Sequence, residues 1–247
     1  MSTKYKNPPL VEAVCELRLT PETQWDLTIP GLLYEKLKSE FPIKEQKMIQ
    51  EVKINEGPNG LQQQIITSDR LLFFTKDRKM LIQVSSRLLI INVLKPYPHW
   101  EDFKSRIELA WQSLQEVVNV QGLDHIELRY INNIELNEQN VKIDEYFEFY
   151  PFIGKKLPKQ TISFIVDAEL PFANGRDIGR ITLTRNIYSK VGNKMVFILD
   201  LGYFLAKKSE VPMSGVLNWI EEAHSYVEEI FEGCITDKLR ALFKEVS

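Results

Sequence analysis

Chemistry in this sequence would fall to carboxylates and guanidinium groups carried on strands. Glu12, Glu16 and Arg18 stand on one side of the alternating stretch at residues 11–19, Val-Glu-Ala-Val-Cys-Glu-Leu-Arg-Leu. A period of two puts every second side chain on the same face of a strand. Glu127-Leu128-Arg129 repeats the words Glu16-Leu17-Arg18. Glu12 and Glu16, four residues apart, lie ~13 Å from one another along a strand. Paired-carboxylate glycosidases hold their carboxyl groups about 5 to 9.5 Å apart, so these two are not an acid/base pair by themselves.

Glu16 and Arg18 can touch, and two readings stay open for them. One is an exposed ion pair worth roughly 0 to 1 kcal/mol. The other is a binding role in which Glu16, Arg18, Glu127 and Arg129 gather on one sheet face. There, arginine would clamp an anion and glutamate would serve as general base. Asn133 falls on the side of Glu127 and Arg129. Thr182 and Thr184, with Thr161, Ser163, Asp167, Asn186 and Tyr188, make a hydroxyl- and amide-rich outward set. A solvated antiparallel face explains such a set, and so does a platform for a polar ligand or a protein edge. The candidate ligand-binding residues are Glu12, Glu16, Arg18, Glu127, Arg129, Asn133, Thr182 and Thr184.

Other chemistries find less footing. His224 follows Ile220 by four residues on an apolar helical stripe and reads as a packed, hydrogen-bonded histidine. His99 and His125 flank elements without a ligand partner at useful spacing, and Cys15 and Cys234 are far apart. No zinc site follows, and neither a metal nor a cofactor is expected. The sequence holds no Gly-rich phosphate loop, nucleophile elbow or zinc-protease pair. Catalytic residues therefore stay unassigned, and the reading leans away from an enzyme.

A net charge of −3 does not advertise nucleic acid or an anionic membrane. The basic patches Lys76-Arg78-Lys79, Lys155-Lys156-Lys159 and Lys207-Lys208 sit mostly at turns. Glu12, Glu16, Glu127 and Asp167 on one face would repel phosphates, which disfavours a nucleic-acid partner. No apolar run approaches bilayer length, and Ser-Thr-Lys-Tyr-Lys after Met1 lacks a signal-peptide core. With two cysteines at periodic apolar positions, a reduced cytoplasmic protein without a membrane partner is the expectation.

These residues need elements to hold them. After the 11–19 strand, Pro30-Gly31 opens a short helix through Leu33, Leu37 and Phe41. Strands are expected at 48–55, 62–67, 70–75 and 79–84, with a turn at Gly57-Pro58-Asn59-Gly60. Arg87 to Lys95 is apolar on both faces and so central or covered. A long helix from Trp100 carries Phe103, Ile107, Ala110/Trp111, Leu114 and Val117/Val118. The second half begins with a strand through Ile126, Leu128, Tyr130, Ile134 and Leu136. A short helix is expected at 144–150, although its aromatic content also suits a strand. Strands follow at 161–170, with Ile162, Phe164, Val166 and Ala168 inward, and at 180–190. A Gly192-Asn193 turn leads to another doubly apolar strand at 194–206. Ser214 is expected to cap a helix carrying Val216, Ile220, Ala223, Val227, Ile230 and Phe231. Thr236 or Asp237 caps a last helical stretch.

The matching words recur at similar offsets: 111 from Glu16 to Glu127, 115 from Lys79 to Lys194 and 113 from Ile107 to Ile220. That period is too long for a solenoid and indicates a duplicated domain. The reading is α+β: two tandem strand–helix–strands–helix repeats, 1–121 and 122–247, in one curved antiparallel sheet with helices on one face. The element order resembles the duplicated TATA-binding-protein-like fold, and fold alone does not give function.

Pro8-Pro9-Leu10-Val11-Glu12-Ala13-Val14-Cys15-Glu16-Leu17-Arg18, Lys95-Pro96-Tyr97 with Trp100, and Phe231 followed by Ile235-Thr236-Asp237-Lys238-Leu239 resemble the "sporadically distributed" family of uncharacterised prokaryotic proteins. That resemblance implies horizontally moved genes, such as phage-defence or toxin–antitoxin cassettes, and carries over no catalytic residue. The expected function is a non-enzymatic binding or regulatory module with a protein partner or self-association, a homodimer included, through the sheet face. The alternatives are a hydrolase or nucleotide-binding enzyme using the Glu/Arg cluster, and a nucleic-acid-binding saddle.

Overall fold

The alternation of residues 11–19 becomes strand β1, Leu10–Leu19, in the computed structural model. Ala13, Cys15 and Leu17 are wholly buried, and Leu10 and Leu19 nearly so. Val11, expected on the buried side, is half-buried. Each fully buried leucine contributes about 1.5 to 3 kcal/mol. The structure describes residues 5–57, 60–137, 141–158, 161–191 and 194–244, with backbone only at 50–57, 60–68 and 186–191.

The architecture is α+β, with nine strands in antiparallel pairing and four α-helices among the described residues. The chain forms two compact units. The leading unit comprises Glu16–Val93 and His99–Asp124; the trailing unit comprises Met1–Cys15, Leu94–Pro98 and His125–Ser247. β1 thus gives its first six residues to the trailing unit and its last four to the leading one.

In the leading unit, helix α1 (Ile29–Leu37) starts with Pro30 in its first turn, where a missing N–H costs nothing. Strands β2 (Ile43–Gly57), β3 (Gly60–Phe74), β4 (Met80–Ser85) and β5 (Leu88–Leu94) follow, joined in that order. Residues 62–67 and 70–75, expected as two strands, are one long strand, because β2 offers an unbroken partner from Ile43 to Gly57. Pro58 and Asn59 of the expected turn lie outside the described residues. In β5, Leu88 through Val93 are all buried, as an apolar run on both faces demands. Leu19 N–H donates to the Arg87 carbonyl at 2.8 Å, beginning the β5–β1 pairing. Helix α2 (Trp100–Val117) buries Phe103, Ile107, Ala110, Trp111 and Leu114, the expected stripe. Arg106 to Glu40 (2.7 Å) and Lys36 to Glu116 (2.6 Å) tie α2 to the α1 region.

In the trailing unit, the sheet runs from the β1 residues through β6 (Leu123–Leu136), β9 (Lys194–Leu205), β8 (Asp177–Val191) and β7 (Phe164–Phe172). Helix α3 (Val216–Cys234) packs on β8 and β9. A Cβ on Gly179 would meet Phe172 and Ile230 side chains at 2.7 and 2.8 Å, so glycine allows that close approach.

Several expectations need correction here. Residues 144–150 form no α-helix: a 3₁₀ turn covers Ile143–Glu145, and Phe147 bridges to Ile235. Three strands follow β6 among the described residues, where 161–170, 180–190 and 194–206 were expected. Ile162 precedes β7 and is exposed, while Phe164, Val166 and Ala168 are only half-buried, because β7 is an edge strand. Ser214 does not cap α3; it lies in a 3₁₀ turn (Met213–Gly215), and the α3 N-cap is Gly215. Thr236 does cap α4 (Asp237–Phe243), accepting from Leu239 N–H at 3.3 Å. Gly192 and Asn193 lie outside the described residues. Among the described residues no helix is long and apolar enough to cross a membrane.

Candidate functional site

Strand register in the trailing unit sets out a grid on the sheet face opposite its buried rows. Arg129 of β6 stands across from Gly202 of β9, Arg180 of β8 and Glu169 of β7. The next row is Ile131, Asp200, Thr182 and Asp167, and the next is Asn133, Ile198, Thr184 and Ile165. Alternation along each strand keeps these side chains together, since one-residue slips would turn them into the core.

Arg129 and Glu127 do not form the pair that Glu16 and Arg18 form. Arg129 Nε donates to Asp200 Oδ1 at 2.7 Å, and its Nη2 donates to Asp200 Oδ2. This bidentate geometry is the strong form of an arginine–carboxylate contact. The hydrogen bond to Asp200 holds the guanidinium above its ordinary range, with further pull from Glu127 and Glu12. Glu127 takes a different hydrogen-bond partner, with Oε2 3.3 Å from His125 Nε2. Gly202 makes room for it, because a Cβ there would sit 2.8 Å from Glu127 Oε1. Farther along, Arg180 donates twice to Glu169 Oε1 at 3.0 and 2.7 Å, with its guanidinium 4.9 Å from the Phe204 ring centroid.

Thr182 hydroxyl donates to Asp167 Oδ1 at 3.0 Å. Thr184 is half-buried between Ile165 and Ile198 in the same row as Asn133. Asn133 donates its backbone N–H to the Pro9 carbonyl at 2.9 Å, but its side-chain Oδ1 is buried without a hydrogen-bond partner among the described residues. The Asn186 and Tyr188 side chains lie outside the described residues.

The structure brings Glu12, Glu127, Arg129, Asn133, Thr182 and Thr184 into the trailing unit. Glu16 and Arg18 meet in the leading unit, Arg18 Nη2 donating to Glu16 Oε1 at 2.9 Å. An arginine clamp for an anion needs a free guanidinium fork, and Asp200 already fills that of Arg129.

Sequence reading missed Asp200 and Arg180. A signal existed for Asp200, which is the one acid within the apolar run Val196–Leu205. It also missed Asp177, which is fully buried and accepts from Trp219 Nε1 at 3.0 Å, Tyr203 hydroxyl at 3.2 Å and Arg176 Nε at 3.0 Å. Burial, then the Asp177 charge, pushes the Tyr203 hydroxyl well above its ordinary range. This group anchors α3 to β8 and β9 from inside and reaches no sheet face. His224 is the packed histidine expected: its Nδ1 shares a 2.8 Å hydrogen bond with the Tyr130 hydroxyl, and Nε2 lies 3.4 Å from Glu228. Among the described residues no group of three or more His, Cys, Asp or Glu is placed to hold a metal ion.

The chain matches no known protein family and no curated protein.

Proposed function

We propose that the chain is a non-enzymatic binding or regulatory module whose contact surface is the sheet face around the Glu-Leu-Arg strand of the trailing unit. The observation that carries this is the register that sets Ile131, Ile165 and Ile198 among Asp200, Thr182 and Asp167 on one sheet face. Apolar and polar groups interleaved in this way suit a protein partner. Occupation of Arg129 by Asp200 favours this reading over an anion-binding enzyme.

As part of the same proposal, the repeated words mark a duplication, with β1 and β6 as equivalent strands. The resemblance of the opening segment to the "sporadically distributed" family supports a phage-defence or toxin–antitoxin cassette as the setting. Affinity capture from host lysate, analysed by mass spectrometry, tests the surface. A partner held by wild type is expected to be lost with Arg129→Glu and weakened with Asn133→Leu. Identical recoveries from all three proteins would contradict the proposal.

A further inference from the structure

The segment leading into β7 leaves more large apolar side chains exposed than its length warrants. Tyr150, Phe152, Leu157, Ile162, Ile165 and Leu170 are all exposed, Phe152 by 82% and Ile165 by 74%. Scattered exposed apolar residues need no explanation, whereas a concentration of them marks an interaction surface. β7 is also the last strand of its sheet, paired only with β8, so one edge is open. Pro171 lacks an N–H and obstructs a continued ladder at the end of that edge. The contact therefore rests on side chains.

The charges of the same stretch complement each other. Lys155 and Lys156 have no carboxylate partner among the described residues. Asp167 and Glu169, both exposed on β7, each use a single oxygen, Oδ1 for Thr182 and Oε1 for Arg180. Their other oxygens have no partner among the described residues. One short stretch thus offers free cations, free carboxylate oxygens and an apolar surface. A twofold interface requires this self-complementarity, because each copy presents the same patch; a foreign partner would require only one sign.

We infer that residues 150–158 and 161–170 form the contact through which two copies of this chain pair. The Lys155 and Lys156 of one copy face Asp167 and Glu169 of the other, around Phe152, Ile162 and Ile165. This goes beyond the binding reading above: it shares Ile165 and Asp167 with that face, but Arg129, Asp200 and Asn133 play no part in it.

Sedimentation velocity of the full chain over a dilution series tests the pairing. Wild type is expected to dimerise reversibly. Lys155→Glu/Lys156→Glu and Asp167→Lys/Glu169→Lys are each expected to weaken dimerisation by at least about tenfold, from like-charge contacts. An equimolar mixture of those two variants is expected to restore it. Should either double variant fail to fold, Phe152→Asp, at an exposed position outside regular structure, is expected to give the same loss. A wild type that stays monomeric, a dimer unmoved by these changes, or a mixture that does not recover would overturn the inference.

Discussion

The helices α2 and α3 lie on cores of different chemistry. α2 buries an apolar stripe with Trp111 at its centre. α3 buries Trp219, Ile220, Ala223, Val227 and Ile230, but also His224, and it closes over the buried carboxylate of Asp177. A similar split separates the two Glu-Leu-Arg words. Arg18 stays within its own strand on Glu16, whereas Arg129 crosses to Asp200 on β9. Identical local sequence takes on different chemistry when the neighbouring strand supplies a different partner.

Removing Asp177 breaks this contrast most strongly. Asp177→Ala leaves the Trp219 N–H and Tyr203 O–H without an acceptor and Arg176 with only the 3.8 Å contact to Glu222. A loss of about 3 to 5 kcal/mol is expected in urea unfolding. Asp177→Asn keeps the volume and is expected to cost about 1 to 3 kcal/mol. Trp111→Ala costs a similar amount to Asp177→Ala, about 3 to 5 kcal/mol, but through a cavity. In that case leucine restores more stability than a polar residue does. At position 177 the order reverses, and leucine restoring more than asparagine would break the comparison.

Most of the fold was legible because burial follows period. The β1 alternation, the doubly apolar β5, the α2 stripe and the packed His224 all follow from spacing. The failures have a common cause in tertiary neighbours. Residues 62–75 read as two strands until β2 provides a continuous partner. Residues 144–150 give up a helix because Phe147 bridges to Ile235. Ser214 cannot cap α3 because the chain enters through a 3₁₀ turn. Of the candidate site, the face of Arg129, Asn133, Thr182 and Thr184 was readable from alternation. Asp200 as the partner of Arg129 depends on β9 register, which no local pattern shows.

The two cores also differ in alkaline response. Burial raises the Cys234 thiol to about 12 and pushes the Tyr130 and Tyr203 hydroxyls well above their ordinary ranges. All three groups lie in the trailing unit. Each keeps its proton in the fold where the unfolded chain has released it, so the stability is fully present below the unfolded pKa. For Cys234 it declines from about pH 9 to 12, by about 1.4 kcal/mol per pH unit. The tyrosines add to the decline above about pH 10. Cys234→Ala is expected to flatten thermal-melt stability between pH 9 and 10; an unchanged slope would remove the cysteine from the explanation.

The smallest effects belong to the two arginines. Arg129 and Arg18 are both substantially exposed, so Arg129→Ala is expected to cost no more than about 1 kcal/mol. Arg18→Ala, with a single contact to a residue two away, is expected within about 0.5 kcal/mol of wild type. Urea midpoints measured side by side would separate them, and a larger loss at Arg18 would invert the comparison.

Because both arginines matter little for stability, they isolate function cleanly. The most direct measurement is partner affinity for Arg129→Glu set beside Arg18→Glu, each folded and assayed against the partner captured by wild type. A binding face on the trailing unit predicts that Arg129→Glu abolishes binding while Arg18→Glu keeps it near wild type. Retained binding in Arg129→Glu, or equal loss in both, would contradict it.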